Sequence, residues 1–265
     1  MTDVQPRFHR EVTRYDLVSR SLTVSRVERV APDMIRVTLS GDELDGFVST
    51  GPADHVKVFF PDAEGVFHTR RPDGEPTGPV ILRDFTPLPG DGELALDFYT
   101  HADPGPAAAW AQSVSVGDPA RIAGPRGSRS VPAGISRAIL VADETALPSI
   151  TRWLDLLPST IPVEIIAMVG DGSWLADYLG PTAATVHVTG RDASGALQTL
   201  AGLAPIDEST FVWAAGEATQ LVPIRRHLRR ELGLPKEQVV VDGYWRRGAA
   251  DFDHHAPLDP TDPEE

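Results

Sequence analysis

At 265 residues the chain is too long for one ordinary small domain and too short for three, so two domains are the starting expectation. Hydrophobic residues at 41% and charged residues at 23% exclude wholesale disorder and a fibrous chain, and the absence of cysteine excludes disulfides, thiolate zinc sites, cysteine-bound iron–sulfur clusters and a cysteine nucleophile. A net charge of -14, from 24 Lys+Arg against 38 Asp+Glu, opposes general binding to nucleic acid and to anionic membranes, while leaving room for a local basic pocket.

In chain order, residues 1–19 read as an irregular lead-in that lacks the apolar core of a secretory signal. No run of about 18 apolar residues appears anywhere, so a cytoplasmic protein without a transmembrane helix is expected. From Ser21 the pattern is one of short strands at 21–30, 34–40, 55–60, 79–88, 93–101 and 120–124, punctuated by Gly, Pro and Asp. Closely spaced short strands predict a small antiparallel barrel or sandwich over 20–130. One helix interrupts it, opening at Gly105-Pro106 and running through Ser113, with proline at the first helical position.

The rhythm changes after the Gly/Pro/Ser-rich stretch 124–136. A buried strand at 138–142 precedes a helix with Leu147, Ile150, Leu154 and Leu157 on one face. A strand at 163–170, a connection through Trp174 and Leu179, a strand at 185–190 and a short helix around 195–202 follow. Strand 210–216 then leads into helix 218–233, with Leu221, Ile224, Leu228 and Leu232 in register and Gly233 at the stop, before a last strand at 238–243. Alternating strands and helices over 131–248 predict βαβ units, hence a parallel sheet with helices on both faces. Residues 249–265, with Asp251, Asp253, Asp259, Asp262, Glu264 and Glu265, read as a solvated, disordered acidic end.

Ligands bind beyond the carboxyl ends of parallel strands. That edge here carries Asp143-Glu144-Thr145, Gly170-Asp171-Gly172, Gly190-Arg191 and Gly216-Glu217, and a site between it and the barrel is the expectation. In the barrel, Arg83-Asp84-Phe85-Thr86 offers a guanidinium, a ring and a hydroxyl to one planar, phosphorylated ligand. The plainer alternative is an ion pair between Arg83 and a carboxylate such as Asp97. The helix opening after His101, at Gly105-Pro106-Ala107-Ala108, points free N–H groups forward as a phosphate cradle. Gly124-Pro125-Arg126-Gly127-Ser128 is a weaker turn of the same kind. Two leads fail. Gly90-x-Gly92-x-x-Ala95 fits a dinucleotide pattern but precedes a strand, and His254-His255 lies in the acidic end, where solvation is the default. Helix 218–233 carries Arg225, Arg226, His227, Arg229 and Arg230, the one dense basic cluster in an acidic chain.

Together, RVTLSGDELDGF (36–47), DHVKVFFP (54–61), RDFT (83–86), HADPGPAAAWA (101–111), AGPRGS (123–128), DETALPSI (143–150), FVWAAGE (211–217) and GYWRRG (243–248) make the chain similar to the siderophore-interacting protein family, over about residues 20–248. The resemblance implies a flavin-binding antiparallel Greek-key β-barrel joined to a ferredoxin reductase-like α/β domain. It implies FAD as cofactor, NAD(P)H or reduced ferredoxin as electron donor, and a ferric-siderophore as acceptor. The chemistry then needs no nucleophile and no protein-bound metal. The family's R-x-Y-T-x-R motif is met by Arg83 and Thr86, with Phe85 for the tyrosine and Leu88 for the last arginine; its GPAS turn reads Gly105-Pro106-Ala107-Ala108. One lost charge-assisted contact is worth about 1.5–3 kcal/mol, a tenfold or greater weakening of flavin binding. By the same resemblance His101 joins the cofactor residues, and Asp143, Thr145, Ala215, Gly216 and Glu217 line the nicotinamide side. Tyr244 and Trp245 come near the flavin, and Arg126, Arg246 and Arg247 attract the acceptor. Two other readings stay open: a family member that binds a ligand without redox turnover, and a flavin oxidoreductase acting on a biosynthetic intermediate.

Overall fold

The computed structural model describes residues 7–71, 73–101, 104–249, 252–253 and 256–262. Two compact units result, one from Val12–Ser130 and the other from Val131 onward together with the described part of Met1–Glu11.

In the first unit seven antiparallel strands form one sheet, in the order β5-β4-β8-β2-β3-β7-β6. They are β2 (Ser19–Ala31), β3 (Met34–Ser40), β4 (Val56–Phe60), β5 (Ile81–Phe85), β6 (Leu88–Pro89), β7 (Glu93–Tyr99) and β8 (Pro119–Ala123). The two edge strands, β5 and β6, are joined by Thr86-Pro87 alone. Three residue steps span about 10 Å at most, so the sheet must curl until its edges approach. Alternation along the strands sends Leu22, Val24, Val37, Leu39, Val56, Val58, Leu94, Leu96 and Ile122 inward to one core. Between β7 and β8 the helix α1 (Pro106–Ser113) forms where the proline start predicts it, and lays Trp110 on Phe60 and Phe98. The lead-in is less irregular than expected: β1 (Val12–Arg14) pairs with β9 (Gly127–Arg129).

In the second unit five parallel strands run in the order β12-β11-β10-β13-β14. They are β10 (Arg137–Ala142), β11 (Val163–Ala167), β12 (Thr185–Val188), β13 (Thr210–Glu217) and β14 (Val239–Trp245). The helices α2 (Leu147–Leu156), α3 (Leu175–Leu179), α4 (Ala193–Gly202) and α5 (Ala218–Arg226) make the crossovers. Every residue of β13 is buried, as a central strand covered on both faces requires. The order reverses between β10 and β13, so this sheet's topological switch point lies at their carboxyl ends. The lead-in packs here too: the Phe8 ring meets Phe211, and Arg10 sits 5.5 Å from the Trp153 ring centroid.

Three further expectations change. The connection through Trp174 and Leu179 contains the short helix α3. After Arg226 the helix widens into an i→i+5 turn over His227–Glu231, in which the Leu232 N–H reaches the His227 carbonyl. The extra residue rotates Leu232 off the apolar stripe, and it is exposed while Leu221, Ile224 and Leu228 are buried. The acidic end, expected to be solvated, folds back over residues 256–262. Leu258 packs on the sheet's core cluster, Asp259 binds Arg226 at 2.5 Å, and Asp262 binds Arg225 and Arg230 at 3.0 and 2.5 Å. The basic cluster of α5 is therefore a partner for the chain's own acid rather than an open face. The His254-His255 pair, Asp251, Glu264 and Glu265 lie outside the described residues.

Candidate functional site

At the carboxyl edge of the parallel sheet the chain ties its own expected site residues together. Asp143 follows β10 and caps the turn that leads into α2, its Oδ1 accepting the Thr145 N–H at 2.9 Å and the Thr145 hydroxyl at 2.6 Å. Its Oδ2 accepts the Glu217 N–H and the Trp245 indole N–H, both at 2.8 Å. Burial pushes the Asp143 carboxyl above the ordinary aspartate range, and nearby Glu144 adds to the rise; hydrogen bonds from Thr145 and Trp245 pull the other way.

This convergence requires glycine at 216. Gly216 has φ 144°, and a Cβ there would stand 2.6 Å from the Asp143 Cγ. The ladder between β13 and β14 shifts register at Gly216/Glu217, so that Gly216 faces Gly243 and Glu217 faces Trp245. A bulge of this kind re-aims side chains, and here it accompanies the indole's hydrogen bond to Asp143. Glu217 is buried as well. It caps α5 through the Gln220 N–H at 2.9 Å, holds the Thr219 hydroxyl, and accepts the Arg247 N–H at 3.0 Å. Burial pushes its carboxyl upward, and these hydrogen bonds outweigh that push and leave it lowered. Tyr244, the bulged residue, meets the buried Ser149 hydroxyl at 2.9 Å. Ala215, also buried, ends the regular ladder beside Asp143. Glu144, buried, receives the half-exposed Arg191 at 2.8 Å.

In the barrel unit, Arg83-Asp84-Phe85-Thr86 runs into the Thr86-Pro87 link between the two edge strands. Arg83 is half-buried and donates to the Leu82 carbonyl at 2.6 Å. Asp97, the carboxylate considered as a partner for Arg83, is held by Arg36 at 2.7 and 2.8 Å in a two-pronged pair. Phe85 leans on Phe98, ring centroids 4.4 Å apart, and Phe98 lies 5.5 Å from Trp110 of α1. The barrel seam and the helix thus rest on one aromatic cluster. Thr86 is buried. Gly105 is exposed, no described side chain caps α1, and a Cβ on Gly105 would meet nothing within 4 Å. Ala109 returns its N–H to Gly105, and the first-turn N–H groups of Ala107 and Ala108 meet no side-chain acceptor among the described residues. Ala108 itself is buried, and Ala107 is half-buried. His101 is exposed, with its ring 6.3 Å from that of Tyr99. Leu88, at the motif's last position, is half-buried and pairs with Ala95. A guanidinium, two helix N–H groups, a hydroxyl and a ring are a donor set that fits the pyrophosphate and planar ring of FAD.

Of the arginines expected to attract the acceptor, Arg126 is exposed on the barrel unit and Arg247 is exposed after β14. Arg246 is half-buried, its guanidinium 5.0 Å from the Phe252 ring centroid.

An antiparallel barrel followed by a five-stranded parallel sheet is the ferredoxin reductase-like fold. Residues 23–129 match the siderophore-interacting FAD-binding domain and 135–248 the siderophore-interacting protein domain, and the chain belongs to the siderophore-interacting protein family. It is 36% identical over 251 residues to the NADPH-dependent ferric-chelate reductase of Escherichia coli, covering 91% of this chain and 97% of the relative. It is 27% identical to the ferric vibriobactin reductase ViuB of Vibrio cholerae, over 89% and 92% of the two chains. Among solved structures, a siderophore utilization protein from T. fusca superimposes with a TM-score of 0.80 at 36% identity, covering 94% of this chain and all of that one. The cytochrome b5 reductase domain of Ulva prolifera nitrate reductase shares the fold at 12% identity and a TM-score of 0.61. The chain is a flavin-dependent oxidoreductase, and FAD is its cofactor. Among the described residues no helix is long and apolar enough to cross a membrane.

Sequence reasoning missed Ser149, Thr219 and Gln220. Ser149 had a faint signal, a polar residue inside the apolar face of α2 beside Leu147 and Ile150. Thr219 and Gln220 had none, because their roles depend on where the Glu217 carboxylate turns.

Proposed function

We propose that this protein reduces a ferric-siderophore with electrons from NADPH, so that the iron leaves as Fe(II). The observation that carries the reading is the first turn of α1, which opens at Gly105-Pro106 and which no described side chain caps. It sits in a chain 36% identical to a reductase whose name states both donor and acceptor. The first turn of α1 and Arg83 would hold the FAD pyrophosphate, with Thr86 and Phe85 at the ring system. When bound, FAD supplies the conversion of a hydride pair into single electrons. The carboxyl edge of β10, β13 and β14 would receive NADPH. Asp143, Thr145, Glu217 and Trp245 shape it, and Arg191 is its half-exposed cation. Arg126, Arg246 and Arg247 would draw in the anionic ferric-siderophore. Hard anionic oxygens grip Fe(III) more strongly than Fe(II), so one-electron reduction loosens the chelate.

The test is anaerobic. Apoprotein titrated with FAD is expected to bind at micromolar affinity or tighter and turn yellow. NADPH should bleach it, and ferric-siderophore should restore the colour while a ferrous chelator reports Fe(II). A flavin-loaded protein that NADPH reduces but that yields no Fe(II) from any ferric chelate overturns the reading. Reduced ferredoxin, run in parallel, is expected to be the poorer donor.

A further inference from the structure

The family resemblance implies that Asp143 touches the nicotinamide donor, and its hydrogen bonding argues otherwise. An ionised carboxylate has about four lone-pair directions. Asp143 fills them from its own chain: the Thr145 N–H and hydroxyl on Oδ1, and the Glu217 N–H and Trp245 indole N–H on Oδ2. It is 7% exposed, and no cation touches it among the described residues. A ligand hydroxyl could reach it only by displacing one of these donors.

What the carboxylate does instead is join three strand ends. Thr145 belongs to the turn after β10, Glu217 ends β13 and Trp245 ends β14. Without that acceptor, the Glu217 N–H and the indole N–H lose their partner. Trp245 is half-buried, with its indole N–H turned to Asp143. The Tyr244–Arg247 segment is then held at three points: Tyr244 by Ser149, Trp245 by Asp143, and the Arg247 N–H by Glu217.

We propose that Asp143 is a positioning residue, whose carboxylate locks the Trp245 indole and the Gly216–Glu217 turn across the β10–β13 switch point in the geometry that receives the nicotinamide donor. This rests on reading that edge as the donor site. Asp143→Asn keeps size and shape but turns an N–H₂ toward donors, so it serves Thr145 or the Trp245 and Glu217 pair, not both.

The experiment uses the full chain and has a readout independent of turnover. The five tryptophans give five indole N–H signals in a nitrogen–proton correlation spectrum, and Trp245→Phe identifies one of them. In Asp143→Asn that signal should shift and exchange with solvent at least tenfold faster, while the other four stay in place. NADP⁺ binding by calorimetry should weaken at least tenfold in both variants. FAD affinity should stay within twofold, and the double variant should be no weaker than the worse single one. In steady state, the KM for NADPH should rise far more than kcat falls. Should Asp143→Asn not fold, Trp245→Phe alone still carries the calorimetric test. An Asp143→Asn protein that binds NADP⁺ as the wild type does, or a Trp245 signal that does not move, overturns the positioning role. Wild-type protein that takes up FAD yet neither binds NADP⁺ nor accepts electrons from NADPH sinks the donor reading, and the positioning role with it.

Discussion

The α/β unit holds acidic side chains in two places by opposite means. At the carboxyl edge, Asp143 is buried and hydrogen-bonded to N–H and O–H groups without charge. On the face of α5, Asp262 sits among guanidiniums, 3.0 Å from Arg225 and 2.5 Å from Arg230. Burial pushes the first carboxyl up; the Arg230 hydrogen bond takes the second down to about 2. The same functional group is costly to ionise in one place and stabilising in the other. Neutral donors satisfy a buried carboxylate without removing its desolvation penalty, whereas arginine supplies both hydrogen bonds and compensating charge.

The hardest blow to this contrast is Gly216→Ala. The new methyl would collide with the Asp143 carboxylate, in a backbone region that alanine resists. Strain and overpacking together predict a loss of about 2–5 kcal/mol. Scanning calorimetry should record a Tm lower by about 5–15 °C. A fall of under two degrees would mean that the edge is looser than its hydrogen bonds imply.

A second measurement sharpens the comparison through pH. The raised carboxyl of Asp143 binds its proton more tightly folded than unfolded, so ionising it as pH rises removes stability. The lowered carboxyl of Asp262 does the reverse: its contribution is complete above the ordinary aspartate value of 3.8 and fades as pH falls toward about 2. The stability of wild type relative to Asp143→Asn should therefore decline with rising pH. Relative to Asp262→Asn it should increase between pH 2 and 4. Urea titrations at several pH values read both differences, and slopes of the same sign would erase the distinction.

Salt gives the smallest effect. The α5 pairs are partly exposed, so raising ionic strength to 1 M should shrink the Tm difference between wild type and Asp262→Asn to a few degrees at most. The Asp143→Asn difference should hardly move.

Much of the architecture was legible because it depends on patterns local to the chain. Alternating apolar residues marked β3 and β7, and Gly105-Pro106 marked the start of α1. Leu147, Ile150 and Leu157 face inward as their spacing implies. Leu232 escaped that logic, since one i→i+5 turn shifts the period by a residue. The candidate site was legible in part as a set of positions: Asp143, Gly216 and Glu217 were expected at the strand ends, and Trp245 only through the resemblance, near the flavin. Their roles were not, because a carboxylate's acceptors can be filled from residues 74 and 102 positions away. Asp259 and Asp262 looked like part of a solvated end for the same reason. Their arginines lie more than thirty positions earlier.

By itself, then, the sequence determined the two-part architecture, the alternation of strands and helices, and the cluster of motifs that marks the flavin family, since each is written in neighbouring residues. Only the tertiary structure decided that Asp143 is filled by its own chain, that Gly216 leaves room for it, and that arginines of α5 and the turn after it pair with the chain's own acid. Those facts depend on which distant groups meet, and a hydrogen bond or an ion pair is set by position in space rather than by position along the chain.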